Sequence, residues 1–152
     1  MESKIYQVVK PVFLLNKVAR HIREWNINKQ PLHLGNLDSY RNILHASDIA
    51  NAIYNIVTQE KGDNYLICNN KNYKVVDLVM KMYEKSNIHL IYKENIYYEI
   101  SSNLPVIIIN EGQKSFDSTP TNINGEAIKL KNIGWEPLIS IESILDEIYF
   151  TK

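Results

Sequence analysis

Apolar side chains recur every three to four residues in five segments of the chain, and this spacing is typical of helices that bury one face. The helices are predicted over residues 11–25, 47–58, 74–86, 124–132 and 141–148. Ser47 and Ser140 are expected to cap the helices that follow them, because a serine hydroxyl accepts a hydrogen bond from the first turn. Gly134 is expected to end the fourth helix, because glycine readily adopts the left-handed backbone of a C-terminal cap.

Short apolar runs between these helices predict strands over residues 32–34, 43–44, 65–68, 89–92 and 106–109. The run Val106–Ile109 is the strongest of them, since all four residues are β-branched. Residues 110–121 are polar and are predicted to form a loop. Because strands and helices are interleaved, the chain is predicted to have an α/β or α+β fold and not that of a helical bundle or a β-sandwich. A length of 152 residues fits a single domain over residues 1–152.

The composition is that of an ordinary globular protein, with 45% hydrophobic and 22% charged residues and no net charge. The absence of net positive charge argues against a nucleic-acid partner. Residues 1–31 carry six basic and two acidic side chains, so this part could face a phosphate, although a solvated helix face explains the excess equally simply. Cys68 is the single cysteine, which excludes an internal disulfide and favours a reducing, cytoplasmic location. No apolar run is long enough to predict a membrane span.

Nicotinamide-dependent dehydrogenases carry a glycine-rich turn that binds the cofactor and an acid–base pair of tyrosine and lysine. The chain has five glycines, and no two of them stand closer than nine residues, so a glycine-rich dinucleotide fingerprint is not possible. Tyr6 and Lys10 have the spacing of an acid–base pair one helical turn apart. With ten tyrosines and fourteen lysines, one such pair is expected by chance. We therefore predict no catalytic, cofactor-binding or metal-binding residues in this chain.

The stretch Leu34–Asp48, which reads LGNLDSYRNILHASD, resembles a conserved segment of GDP-mannose 4,6-dehydratases, which are extended short-chain dehydrogenases. Further segments are similar to the same family: Phe13–Val18, Asn64–Asn70, Lys74–Met80 and Ile133–Pro137, where the last contains the family's Gly-Trp-x-Pro. The resemblance covers most of this chain but only the C-terminal two-fifths of the family's length. It implies the substrate-binding part of the fold, with the Rossmann half that binds NADP missing.

The resemblance also implies candidate substrate-binding residues. Arg41 and Lys17 match family positions near the nucleotide, where a cation suits a diphosphate. Asn36 and Asp38 follow the predicted strand in the same motif. Each has a structural alternative: Arg41 could stabilise a turn, Lys17 could lie on a solvated helix face, and Asn36 and Asp38 could satisfy turn backbone.

Three segments depart from the family pattern. The family's paired arginine after Ser-Pro has no equivalent near Lys10 and Pro11. Asn42–Leu44 replaces the family's Asp-Trp-Gly, and Ser115–Ser118 lacks the family's phosphate-binding arginine. Asp117 places an acid there, which would repel a diphosphate. His45, Asp48 and Trp135 are interpreted as structural.

The resemblance therefore implies a truncated GDP-mannose 4,6-dehydratase-like protein that binds a GDP-sugar and does not catalyse the reaction alone. The family reaction removes water from a GDP-hexose with the help of NADP. Two alternatives stay open: a structural or oligomeric interaction module, and one half of a split NADP-dependent dehydratase. We expect an exposed apolar surface near Tyr65–Cys68 and Val106–Ile109, covered by self-association or by a partner.

Overall fold

A computed structural model describes residues 4–7, 13–110 and 125–150. The elements in chain order are β1 (Lys4–Gln7), α1 (Phe13–Asn28), β2 (Leu32–Leu34), β3 (Tyr40–Asn42), α2 (Ala46–Val57), β4 (Asn64–Ile67), β5 (Asn72–Lys74), α3 (Val75–Lys85), β6 (Leu90–Lys93), β7 (Ile96–Glu99), β8 (Pro105–Ile109), α4 (Ile128–Asn132) and α5 (Ile141–Phe150). Strands and helices are interleaved, so the predicted mixed α/β class is confirmed. No helix within the described ranges is long and apolar enough to cross a membrane.

The chain divides into two compact units, each made of separate stretches of sequence. The first unit contains residues 1–11, 40–73 and 122–144, and the second contains residues 12–39, 74–121 and 145–152. The prediction of one domain over residues 1–152 stays a prediction.

In the first unit, β1 and β4 form a parallel two-stranded sheet, and α2 and α4 pack against β4. Apolar side chains of these elements form one core, because α2 and β4 each turn one apolar face inward. Its buried members are Leu44, Ala52, Ile56, Tyr65, Ile67, Cys68, Ala127, Leu130 and Trp135. The core fixes the positions of the loops that follow β3 and α4.

In the second unit, a four-stranded mixed sheet has the order β2-β8-β7-β6. β2 and β8 are parallel, whereas β7 is antiparallel to both β8 and β6. Glu94 and Asn95 connect β6 to β7 in a two-residue turn, and both have positive φ angles, 48° and 66°. This backbone twists in the same sense as the strands, which makes the hairpin tight. Helices α1 and α3 pack together in this unit.

Several predicted elements need correction. The second helix begins at Ala46, and its cap is His45 in place of Ser47: the His45 Nδ1 accepts a hydrogen bond from the Ser47 N–H at 3.1 Å. The extended piece predicted at residues 43–44 is wrong, since β3 ends at Asn42 and both residues are buried beyond it. Strands β1, β5 and β7 were not predicted, because strands of three or four residues with polar or aromatic side chains leave no clear alternation.

The prediction of an exposed apolar surface near Tyr65–Cys68 and Val106–Ile109 is also wrong, because most side chains at the centre of these segments are buried. Tyr65, Ile67 and Cys68 are at most 6% exposed, and Val106 and Ile107 are fully buried. Helices α2 and α4 cover β4, so Tyr65, Ile67 and Cys68 belong to the core of the first unit.

The C-terminal end of α4 agrees with the prediction for Gly134. Gly134 has a φ of +87°, and its N–H donates to the Lys131 carbonyl at 3.0 Å. The N–H of Trp135 donates to the Leu130 carbonyl at 3.0 Å. These two bonds form a Schellman motif, which turns the chain so that the Trp135 ring enters the core of the first unit.

Candidate functional site

The candidate site lies in the second unit, at the edge of the sheet where β2 and β8 end. These two strands are parallel neighbours, so their carboxyl ends meet at this edge. The Asn110 N–H donates to the Leu34 carbonyl at 2.8 Å, and the Ile109 N–H donates to the Asn95 carbonyl at 2.8 Å. The β6–β7 turn therefore lies at the same edge. Ligands of α/β proteins commonly bind outside the carboxyl ends of parallel strands.

Lys17 reaches this edge from α1. Its ammonium group donates to the carbonyl of His33, the middle residue of β2, at 2.9 Å. The His33 Nδ1 lies 3.5 Å from the Asn110 Oδ1. The Leu34 carbonyl faces β8, so the His33 carbonyl of the preceding residue faces the open side of β2, and Lys17 places its positive charge there, one residue before the strand ends.

Asn36 and Asp38 lie in the loop that follows β2. The Asn36 Oδ1 accepts a hydrogen bond from the Asp38 N–H at 2.7 Å, and the Asp38 carboxylate pairs with the Lys74 ammonium at 2.7 Å. The carbonyls of Leu37 and Ser39 accept the N–H groups of Val76 and Val75 in the first turn of α3. The loop thus satisfies donors that no side-chain cap reaches at that helix end. These bonds give Asn36 and Asp38 a structural role.

Two tyrosines lie on the β6–β7 hairpin of the same sheet. The rings of Tyr92 and Tyr97 are 4.7 Å apart, and the Tyr92 hydroxyl donates to the Asn95 Oδ1 at 2.8 Å. Burial raises the pKa of the Tyr97 phenol, and the neighbouring Tyr92 raises it further. Tyr92 is 52% exposed, so one face of an aromatic pair is accessible to a flat ligand such as a nucleobase.

Arg41, the fourth predicted residue, lies in the first unit. Its guanidinium donates to the carbonyl of its neighbour Tyr40 at 2.8 Å, and its side chain is half-buried. The structure therefore brings Lys17, Asn36 and Asp38 into one unit and places Arg41 in the other. A single ligand site that contains all four residues stays a prediction.

Sequence reasoning missed a network of asparagines in the first unit. The Asn42 amide nitrogen donates to the Asn69 carbonyl at 2.6 Å and to the Asn72 Oδ1 at 2.9 Å, and its oxygen accepts from the Asn69 N–H at 2.7 Å. Asn42 is only 8% exposed. The signal in the sequence was the departure from the family at Asn42, where an amide can donate and accept whereas a carboxylate only accepts.

Asp48 and Trp135 are structural, as predicted. Asp48 forms hydrogen bonds with Trp135 and with the residues that follow it. The Asp48 carboxylate accepts hydrogen bonds from the N–H groups of Leu138 and Ile139, both at 3.1 Å, and its carbonyl accepts the indole N–H of Trp135 at 3.1 Å. Both residues are at most 3% exposed. Two distant sequence motifs, the one ending at Asp48 and the one containing Trp135, thus meet in the core of one unit.

Other candidate chemistry is limited. No group of three or more potential metal ligands occurs among the described residues. Burial raises the pKa of the Cys68 thiol, which disfavours the reactive thiolate. The Tyr6 side chain, Lys10 and the stretch Ser115–Ser118 lie outside the described residues.

His21 forms a buried polar link in the second unit. Its Nε2–H donates to the Gln30 carbonyl at 2.8 Å, and its Nδ1 accepts the hydroxyl hydrogen of Tyr83 at 2.7 Å. This arrangement suits a neutral imidazole. Burial lowers the pKa of His21, although the Gln30 carbonyl and the charge of Glu24 oppose this effect.

We expect acid to destabilise the protein through His21. The folded state binds a proton at His21 less readily than the unfolded chain does, so this contribution is complete above the unfolded pKa of about 6.5 and is lost as the pH falls below it. Urea unfolding between pH 8 and pH 5 measures the effect. His21→Gln should flatten the slope between pH 6.5 and pH 5, whereas replacement of the exposed His89 by glutamine should leave it unchanged. Equal slopes in wild type and His21→Gln would contradict the assignment.

Comparison with solved structures places this fold among nucleotide-sugar dehydratases and epimerases. The chain superposes on RMD of Pseudomonas aeruginosa, determined with NADPH, with a TM-score of 0.68 at 18% identity, covering 94% of this chain and 44% of that one. It superposes on dTDP-glucose 4,6-dehydratase of Bacillus anthracis, determined with NAD, with a TM-score of 0.63 at 19% identity, covering 97% of this chain and 41% of that one. These likenesses confirm the fold.

The sequence defines the family more narrowly. The family model for GDP-mannose 4,6 dehydratase matches residues 5–148, so the chain belongs to that family. GDP-mannose 4,6 dehydratase 2 of Caenorhabditis elegans is 24% identical over 140 residues, which are 90% of this chain and 37% of the relative. The chain therefore spans little more than a third of this relative's length. The resemblance drawn from the motifs is confirmed.

Proposed function

We propose that this chain binds a nucleotide-sugar, a GDP-hexose by family, at the carboxyl ends of β2 and β8, without catalysing its dehydration alone. The observation that carries the proposal is the Lys17 ammonium, which the His33 carbonyl holds on the open side of β2, close to where that strand ends. A fixed cation suits the diphosphate that every nucleotide-sugar contains. The Tyr92–Tyr97 pair, on the same sheet, offers a stacking surface for a base. Arg41, which lies in the other unit, is proposed separately as a phosphate-binding residue.

The proposal includes no cofactor for this chain by itself. The five glycines do not form a dinucleotide fingerprint, and we propose that NADP is not bound without a partner. Neither nucleic acid nor membrane is proposed as a partner, and the proposed location is the cytoplasm.

Thermal unfolding with and without 1 mM GDP-mannose tests the proposal. A ligand that binds only the folded state raises the free energy of unfolding by about 2.7 kcal/mol when it is present at a hundred times its Kd. Lys17→Gln should raise the Kd for GDP-mannose and GDP about tenfold, which corresponds to roughly 1.4 kcal/mol of binding energy. Each variant is compared with its own unliganded melting temperature, because the Lys17–His33 bond also supports the fold.

Lys61→Gln is the matched control, since Lys61 is an exposed lysine in the loop before β4 of the first unit. Its ligand response should equal that of the wild type. The proposal fails if millimolar GDP-mannose gives no shift, or if the shift is the same in Lys17→Gln. Mannose alone should have no effect, because the charge contact is to phosphate.

A second candidate function is one half of a split NADP-dependent dehydratase. The observation in its favour is coverage: the two solved structures above hold NADPH or NAD, and this chain matches less than half of each. NADP is therefore a separate arm of the thermal experiment. A shift with NADP alone would contradict the proposal that this chain binds no cofactor by itself.

A further inference from the structure

Helix α2 in the first unit carries apolar residues on two sides, which lie roughly 110° apart around the helix axis. Its inner side buries Ala52 and Ile56 in the core. Its outer side carries a row of exposed apolar residues at intervals of four, three and four, which we call the α2 outer stripe: Ala46, Ala50, Ile53 and Val57. Ile53 is 39% and Val57 66% exposed, and Tyr54 beside them is 67% exposed. A helix that is apolar on both sides is normally covered on both sides.

The shape of the outer stripe indicates what covers it. Its N-terminal half consists of the small residues Ala46 and Ala50, and its C-terminal half of the bulky residues Ile53 and Val57. In an antiparallel pair of two such helices, Ala46 faces Val57 and Ala50 faces Ile53, so a small side chain always meets a large one. A parallel pair would place alanine against alanine and leave a gap. The stripe is therefore complementary to itself in the antiparallel direction only.

The charges of α2 also allow it to pair with a copy of itself. Asp48 is the only charged residue between Ala46 and Val57, and its carboxylate turns inward to bond Leu138 and Ile139. The amide of Asn55 donates to the Asn51 carbonyl and side-chain oxygen, on the side of the helix next to the groove lined by Trp135 and Leu138. A two-fold axis would bring any charge on the stripe close to its own copy, so a stripe without charges avoids this repulsion.

We infer that the α2 outer stripe is a docking surface for a second copy of this chain, with the two α2 helices antiparallel and centred between Asn51 and Ala52. A 12-residue helix is about 18 Å long, so this contact alone is smaller than the roughly 800 Å² per partner of a standard interface. The dimer should accordingly be weak and dependent on concentration. The inference rests on α2 alone and does not depend on the proposed nucleotide-sugar site.

Sedimentation equilibrium of the purified chain from about ten micromolar to one millimolar tests the inference. The wild type should approach a dimer over this range, and Ile53→Asp should weaken the association at least tenfold, because it places two carboxylates in the contact. Ile27→Asp is the matched control: Ile27 is 85% exposed on α1 of the second unit and should not affect association. Unchanged melting of Ile53→Asp would show that it remains folded.

Disulfide cross-linking tests the direction of the pair. In the antiparallel arrangement, two copies of residue 53 are offset by about 4.5 Å along the helix axes and two copies of residue 57 by about 16 Å. Ile53→Cys should therefore cross-link on mild oxidation and Val57→Cys should not, while the wild type, whose Cys68 is buried, supplies the background. A monomeric wild type at one millimolar, a dimer that survives Ile53→Asp, or efficient cross-linking through residue 57 would overturn the inference. Lys17→Gln should leave association unchanged, which separates this test from that of ligand binding.

Discussion

Replacement of Asp48 by alanine is expected to lower the free energy of unfolding by about 3 kcal/mol. The Asp48 carboxylate is the acceptor for the N–H groups of Leu138 and Ile139 and is itself buried. Alanine removes both hydrogen bonds to these part-buried N–H groups and leaves a cavity where the carboxylate was buried. A hydrogen bond to a charged acceptor contributes more than one between neutral groups, which is why the expected loss is large. Urea unfolding at neutral pH measures it.

Two further variants identify the cause of this loss. Asp48→Asn keeps one acceptor oxygen and should lose about half as much free energy as alanine. Asp77→Ala is the matched control, because Asp77 is likewise an acid in the first turn of a helix but is exposed. It removes only the interaction with the helix dipole, which is about 0.3–1 kcal/mol. If Asp48→Ala costs no more than Asp77→Ala, then the two hydrogen bonds do not stabilise the fold.

The role of Asp48 changes how the family motif is interpreted. Within Leu34–Asp48, the first part forms the loop after β2, and the last part caps α2 and binds the segment that follows Trp135. A motif that looks continuous in the sequence thus serves two units of the structure. The resemblance implied a substrate-binding role for Asn36 and Asp38, whereas in the structure Asn36 makes a hydrogen bond and Asp38 an ion pair within the chain.

The helices were the part of the fold that could be predicted, for a physical reason. α1 and α5 each have one apolar face, and a period of 3.6 residues appears within a single segment of sequence. Strand β7 was missed because Tyr97 and Tyr98 are both half-buried, so no alternation marks one face. Its place between β6 and β8 comes from pairing with residues on two other strands, which a local pattern does not contain.

The candidate site was predictable in part, for a similar reason. Lys17 was found through its place in the family pattern, and the structure brings it to the end of β2. Asn110 was not found, because its position beside His33 depends on the parallel pairing of β2 with β8. The asparagine network was missed as well, since Asn42 and Asn69 are 27 residues apart in the chain. Polar contacts over such separations follow from the fold and leave no periodic signal.

Replacement of Trp25 by alanine should have the largest effect in the second unit, a loss of about 4 kcal/mol in the free energy of unfolding. Trp25 is fully buried, its ring centre lies 5.6 Å from that of His21, and the Lys29 ammonium lies 4.8 Å from the ring centre. Alanine leaves a cavity and removes this cation–π contact. Ile27→Ala, on the same helix but at an 85% exposed position, should change the stability by less than about 0.5 kcal/mol. Similar losses in both variants would contradict the assignment of Trp25 to the core.

The two tryptophans also allow the single-domain prediction to be tested, because Trp25 lies in the second unit and Trp135 in the first. Trp135→Phe leaves Trp25 as the only fluorescent indole, and Trp25→Phe leaves Trp135. Each variant is unfolded in urea and followed by its remaining tryptophan and by circular dichroism. If residues 1–152 form one cooperative domain, the two signals of each variant should give the same midpoint and slope. A tryptophan transition that precedes the loss of helical signal would mean that its unit unfolds by itself, and the prediction of one domain would then be wrong.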